Sequence, residues 1–555
     1  MRHQKHGSAL AIILLAVPFI SAVPGDPPDK RPITQKDVQN AEILLGLELT
    51  EAERDSMIEG LEQQRESYEA IRSVLLENET PPAILFNPIP PDLFPDTVQV
   101  KLRQSDEGPV DRPRDLQELA FASVGRLGAL LRARKVTSLE LTGMYLDRLK
   151  RYGPRLHCVI TLTEDLALEQ ARKADAELAN GIDRGPLHGI PYGAKDLLAT
   201  KGIRTTWGAV PFKEQVFQED ATVVRKLADA GAVLVAKLSV GALAWGDVWF
   251  GGKTRNPWNL DQGSSGSSAG SASATAAGLV AFSIGTETWG SIVSPSNRCG
   301  VTGLRPTFGR VSRYGIMALA WSMDKIGPIC RTVEDCALVF DAIRGPDGKD
   351  QSVVKASFGY DPGLSLKGLR IGYLKDDIDS SESREKNQAV LDALERLGAT
   401  LVPLELPRYP IDALSIILNA EAGAAFDELT RSGRDDLLVR QIKNAWPNVF
   451  RQSRFIPAVE YIQANRVRTL LIREMASLMN SVDLYAAPSL EGENLLLTNL
   501  TGHPSVVLPN GFNEDGSPTS ITFIGQLYGE ARLLAVSKAY QDATDFHLKH
   551  PPLPQ

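Results

Sequence analysis

Apolar positions along the chain change period several times, and each change marks an element. Over residues 34 to 76, Met57, Ile58, Leu61, Tyr68 and Ile71 recur at helical spacing behind a Thr50/Glu53 capping-box pair, which predicts helices. Pro81 to Pro95 holds six prolines in 15 residues. This reads as an extended connector, and Ile84, Leu85 and Phe86 give it apolar groups to pack. From Leu116 onward helical and strand signals alternate. Ala221–Gly231 predicts a helix and Ala232–Lys237 a buried strand. Leu369–Tyr373 predicts a strand and Glu385–Leu397 a helix. Residues 411 to 480 read as mostly helical, Ser505–Leu508 and Thr519–Ile524 as strands, and Glu530–Phe546 as a last helix. Such alternation predicts an α/β fold whose sheet is covered on both faces.

The first segment reads as an address. Arg2 and Lys5 precede an apolar run from Ala9 to Val17, and small residues Ser21 and Ala22 follow. This is the pattern of a secretory signal peptide over residues 1–22, cleaved near Ala22. The run is broken by Pro18 and falls short of the roughly 20 residues that span a bilayer. The expectation is a secreted or periplasmic protein without stable membrane insertion.

Composition narrows the partners. Apolar residues make up 43% and charged residues 23%, as in ordinary folded chains. Lys plus Arg is 60 against 68 for Asp plus Glu, a net charge of −8. That balance, with no basic stretch, argues against a nucleic-acid partner. Four cysteines in 555 residues do not make a disulfide scaffold. Cys330 and Cys336 are expected on one helix as buried thiols. No His pair at helical spacing and no C-x-x-C appears, so neither a metal nor another cofactor is expected. His188 is expected to be structural.

The chemistry concentrates between Gly251 and Gly303, which carry ten Gly, ten Ser and only five charged residues in 53 positions. A flexible linker would have this composition, but Val280–Ile284 and the Ala-rich Ala272–Ala277 interrupt it. Gly permits close backbone approach, and Ser supplies hydroxyls. Short motifs compete here. Gly266-Ser267-Ser268-Ala269-Gly270 fits a G-x-S-x-G elbow with Ser268 as nucleophile, for which His503 is the one downstream histidine away from the chain end. Ser322-Met323-Asp324-Lys325 fits S-x-x-K. A third arrangement spreads two serines and a lysine along the chain.

That third arrangement emerges from a resemblance. Gly189-Ile190-Pro191-Tyr192-Gly193-Ala194-Lys195-Asp196, Gly266–Ser271, Gly285-Thr286-Glu287-Thr288-Trp289-Gly290-Ser291-Ile292 and Cys299–Thr307 together resemble the amidase signature family, as do Gly309–Arg313, Asp483–Pro488 and Thr498–Gly511. The resemblance covers roughly residues 115–345 and 480–545. It implies one large mixed twisted sheet with helices on both faces. This amidase signature domain would span 113–555, after an N-terminal helical extension (34–80) and the connector (81–112), with a variable, mostly helical substrate-side region near 365–480.

By position, the resemblance implies Ser291 as nucleophile, Ser267 as a bridging serine in a cis peptide, and Lys195 as base. Ser264-Ser265 is a decoy for the second role. The oxyanion would be held by backbone N–H groups of Thr288, Trp289, Gly290 and Ser291, and Trp289 and Ser268 would face the substrate. The implied reaction is hydrolysis of a carboxamide C–N bond in a small-molecule amide, without cofactor, and a homodimer is left open. Alternatives are an esterase using Ser268 and His503, a tRNA-dependent transamidating subunit, and a binding protein that keeps the fold without catalysis. Three positions depart from the family's usual residues: Glu287 for Asp, Trp289 for Gly and Val293 for Arg. Trp245, Trp249 and Phe250 offer an aromatic lining or core.

The residue chemistry supports such a trio independently. A serine hydroxyl becomes a good nucleophile once a base takes its proton. A lysine is a base only when neutral, and burial favours that form.

Overall fold

The computed structural model describes residues 31–553 apart from 75, 79, 91 and 92. The expected signal peptide lies outside the described residues. The chain divides into two compact units, Met1–Leu76 and Glu77–Gln555.

In the first unit, helices Gln35–Leu45 and Glu51–Arg72 each begin with a capping box, Thr34 with Asp37 and Thr50 with Glu53. Gly46 ends the first helix at φ +63°, a left-handed conformation that glycine adopts without a Cβ penalty. An Arg54–Glu42 ion pair at 2.7 Å ties the two helices together.

The second unit is built on one mixed sheet of 11 strands. In chain order these are β1 (Val159–Leu162), β2 (Pro191–Lys195), β3 (Val233–Leu238), β4 (Phe282–Glu287), β5 (Thr302–Arg305) and β6 (Lys325–Cys330). They continue as β7 (Arg370–Leu374), β8 (Thr400–Leu404), β9 (Leu484–Pro488), β10 (Ser505–Phe512) and β11 (Pro518–Gly525). Across the sheet they run β1-β3-β2-β4-β6-β5-β10-β11-β9-β7-β8. β2 lies parallel to both β3 and β4, and β7 parallel to β8 and β9. The remaining pairings are antiparallel.

Every residue of β2, β3, β4 and β6 is buried. Strands buried on both faces require helices on both sides of the sheet, as the alternating pattern predicts. Boundaries shift by a few residues: the predicted 221–231 helix runs Thr222–Asp229, and the last helix stops at Asp542 before a short turn at Phe546–Leu548. Cys330 closes β6 and Cys336 lies on the next helix, Val333–Ile343. The two are therefore not on one helix, although both are free buried thiols.

The Gly/Ser window is a packed part of the core. Helix Ala269–Ala276 buries all eight of its residues. Its small side chains let it lie close to β4, and its hydroxyls meet buried acceptors: Ser271 Oγ donates to Ile284 O at 3.0 Å and Ser273 Oγ to Arg255 O at 2.8 Å. A linker would leave those groups in water; here the serines satisfy backbone that has lost it.

Candidate active site

The site forms where β2 and β4 end side by side. Parallel strands place their carboxyl ends together, the usual location of ligand sites in open α/β sheets. Lys195 is the last residue of β2 and Thr286 is next to last in β4. Lys195 is fully buried, and Nζ lies within hydrogen-bond distance of Ser267 Oγ (2.8 Å), Ser268 Oγ (3.0 Å), Thr286 Oγ1 (2.8 Å) and Thr286 O (3.2 Å). All four partners are neutral oxygens. Burial pushes the ammonium well below its ordinary value, opposed at longer range by the charges of Asp324 and Glu287.

Ser267 follows a cis peptide bond from Gly266. A Cβ on Gly266 would stand 1.9 Å from Gly246 O, so only glycine fits where the two chain segments touch. Ser268 N donates to Ser291 O at 3.1 Å, which brings the second serine loop against the first. Ser291 is the most open of the group at 9% exposure, against 1% for Ser267.

The loop from Thr288 to Ser291 is held at both ends. Glu287 Oε2 accepts from Ile292 N (2.8 Å) and Val293 N (2.9 Å), capping helix Val293–Cys299 just behind Ser291. Its other oxygen accepts from Arg305 Nη1 (2.8 Å) and Asn499 Nδ2 (2.9 Å). Burial would raise this carboxyl, but Arg305 and the N–H donors outweigh it and hold Glu287 at about 2. At the other end, Thr288 Oγ1 donates to the buried Asp324 carboxylate at 2.5 Å. Among the described residues, the N–H groups of Trp289, Gly290 and Ser291 donate to no protein acceptor. The loop thus presents N–H groups beside a serine hydroxyl, an arrangement able to stabilise an oxyanion.

The left-handed turn of this loop falls on Gly290, at φ +88°. Trp289 therefore needs no left-handed backbone. It is 43% exposed, so it is not part of the packed core. Ser268, expected at the substrate pocket, is fully buried with Oγ held between Lys195 and Thr286 O (3.1 Å). It belongs to the cage around the lysine.

The competing motifs come apart in space. His503 sits between helix Asn494–Thr501 and β10, and its Nδ1 is 2.8 Å from Thr501 Oγ1. Burial, aided by Arg305, lowers it to about 3. Ser268 is engaged by Lys195, so the Ser268/His503 pairing that an esterase would need does not form. In the S-x-x-K segment, Ser322 Oγ donates to Glu421 at 2.6 Å, while Lys325 Nζ donates to Met323 O. The decoy Ser265 pairs with Ser294 Oγ at 2.7 Å. His188 lies 3.1 Å from Glu177 and accepts from Arg184 N, a structural setting. Trp245 packs edge-on against Trp446, and Trp249 against Phe250.

Sequence reasoning misses Glu287, Arg305, Thr286 and Asp324 as supports of the site. Thr286, Glu287 and Arg305 stand inside the matched motifs, which is the only signal for them; nothing local marks the Glu287–Arg305 pairing.

Comparisons with known proteins identify the family. The Amidase family model matches residues 140–494. A glutamyl-tRNA(Gln) amidotransferase subunit of Coxiella burnetii (strain Dugway 5J108-111) is 34% identical over 481 residues, covering 78% of this chain and 99% of that protein. Its counterpart from Roseiflexus sp. (strain RS-1) is 36% identical, covering 77% of this chain and 97% of that protein. The X-ray structure of the peptide amidase of Stenotrophomonas maltophilia superposes with a TM-score of 0.69 at 30% identity, covering 79% of this chain and 99% of that one. With its family motifs converging on one buried lysine, the chain belongs to the amidase signature family.

Proposed function

We propose that this chain cleaves an amide C–N bond through an acyl-enzyme on Ser291. The observation that carries the reading is the fully buried Lys195, with Nζ 2.8 Å from Ser267 Oγ and only neutral oxygens around it. Neutral Lys195 takes a proton from Ser267, which takes one from Ser291. The Ser291 oxygen bonds to the amide carbon, and the carbonyl electrons move to oxygen, facing the N–H groups of the 288–291 loop. As the tetrahedral species collapses, the C–N bond breaks. The proton returns through Ser267 to the leaving nitrogen, and an ester on Ser291 remains.

Two fates of the released nitrogen are open to this chemistry. The amidotransferase relatives favour transamidation, in which the chain works within a complex and the nitrogen passes to an acceptor. The peptide amidase favours hydrolysis by the chain alone. A purified chain incubated with glutamine and with simple carboxamides separates them. Product from the chain alone supports the hydrolase. Product only when companion chains and an acceptor are added supports transamidation. Export bears on the same choice, since charged tRNA is cytoplasmic. A reporter fused to residues 1–30 should leave the cytoplasm if the hydrolase reading holds, and retention there favours transamidation.

A further inference from the structure

A cavity of about 580 Å³ has Asp324, a support of the site, in its lining, and its volume falls within the roughly 300–1,000 Å³ of small-molecule sites. One wall is the Pro-rich connector, through Pro81, Pro82, Ala83 and Leu85; the opposite wall includes Ile316 and Ala318. The connector lies before the residues matched by the family model, 140–494.

This wall is fixed at both ends. Asn78 pairs with Ala318 in both directions, Nδ2 donating to Ala318 O (3.1 Å) and Oδ1 accepting from Ala318 N (2.7 Å). Phe86 lies under the Arg468 guanidinium, 3.5 Å from the ring centroid, and packs edge-on against Phe308 at 5.0 Å. Asp324 also lines the cavity, and it is the residue that accepts from Thr288 Oγ1 at 2.5 Å. The cavity is thus one hydrogen bond from the loop that carries Ser291.

The charged groups along it are already matched. Arg313 pairs with Asp350 at 3.0 Å, and Lys349 with Glu219 at 3.2 Å while lying over the Tyr314 ring at 3.8 Å. Asp324 takes two backbone N–H groups besides Thr288. The charged liners are thus engaged with other protein groups; Pro81, Pro82, Ala83, Leu85, Ile316 and Ala318 form the apolar part of the lining, and Thr80, Tyr314, Trp321 and Gln351 the uncharged polar part.

We infer that this cavity receives the neutral, apolar substituent of the amide, an alkyl or aryl group, and that the connector residues Pro81–Leu85 set how large that group can be. The inference rests on the proposed chemistry at Ser291.

Ala83 is exposed, so Ala83→Trp adds bulk to the wall without overfilling a core. Leu85→Ala enlarges the same space. Each is assayed on phenylacetamide and acetamide, and a small fluorophosphonate reports on Ser291 separately. Ala83→Trp should lower the phenylacetamide-to-acetamide ratio of kcat/KM about tenfold or more, chiefly through KM for phenylacetamide. Leu85→Ala should shift preference toward bulkier arylalkyl amides. An unchanged ratio in both variants, with Ser291 still labelled, overturns the cavity assignment alone. A wild-type chain that is not labelled at Ser291 overturns the chemistry beneath it.

Discussion

Lys195 draws its character from what surrounds it: two serine hydroxyls, one threonine hydroxyl and one carbonyl, with no carboxylate in contact. Such a setting solvates a neutral amine and leaves an ammonium poorly compensated. Burial lowers its proton affinity well below the ordinary lysine value of 10.5. The sign for catalysis follows. Below the folded-state value Lys195 is protonated and cannot accept from Ser267, so the rate is low; above it the base is free. Activity should rise with pH, reach its plateau well short of 10.5, and persist into the alkaline range, as a pH–kcat/KM profile would record. A profile that peaks in acid and vanishes above neutrality would exclude the lysine base. At this scale the sequence is informative where motifs are long. Lys195, Ser267 and Ser291 can be placed by number, and the structure places Lys195 against Ser267 and the Ser291 loop against Ser268. Ser268 departs from expectation because its position in a serine pair says nothing of which way its hydroxyl points.

The element that matters most is the turn from β4 into helix Val293–Cys299. It is clamped by Glu287 behind and by Asp324 ahead. Its left-handed residue is Gly290, where an added Cβ would meet Leu495 Cδ2 at 3.0 Å. Gly290→Ala should therefore strain the loop by about 1–3 kcal/mol and lower kcat more than Trp289→Ala, whose exposed side chain leaves the backbone free. Steady-state rates of the two folded variants compare them directly. If Trp289→Ala proves the more damaging, the side chain matters more than the turn. The period of the apolar positions locates the strands and helices on either side, because burial imposes that period. It cannot locate the Glu287–Arg305 pair, since residues 18 apart meet only through strand order, and strand order is set by the whole sheet.

At the scale of the molecule, every hydrogen bond described at the site lies within Glu77–Gln555. A chain starting at residue 77 retains Asn78 and the connector, and it should accept a fluorophosphonate at a rate close to that of the longer chain. A folded fragment that fails to react would make the helices Gln35–Leu45 and Glu51–Arg72 part of the active machinery. Alternation of helix and strand is enough to read an α/β sheet covered on both faces. That the sheet is mixed is legible only through the family resemblance, and the order of its 11 strands is not legible at all, because antiparallel and parallel partners bury strands of the same composition. The cavity bounded by the connector leaves one trace in the sequence, the apolar Ile84–Phe86 among prolines, which marks the segment as packed without saying on what.

The central claim is that Ser291 carries the acyl group while Ser267 passes protons. Fluorophosphonate labelling followed by peptide mapping, on wild type and on Ser267→Ala, Ser268→Ala and Ser291→Ala, tests it most directly. The wild-type adduct should map to Ser291. Ser291→Ala should show neither label nor turnover. Ser267→Ala should turn over roughly 10²–10⁴-fold more slowly yet still label slowly at Ser291, and Ser268→Ala should be the mildest of the three. An adduct on Ser268, or turnover surviving in Ser291→Ala, would contradict the account.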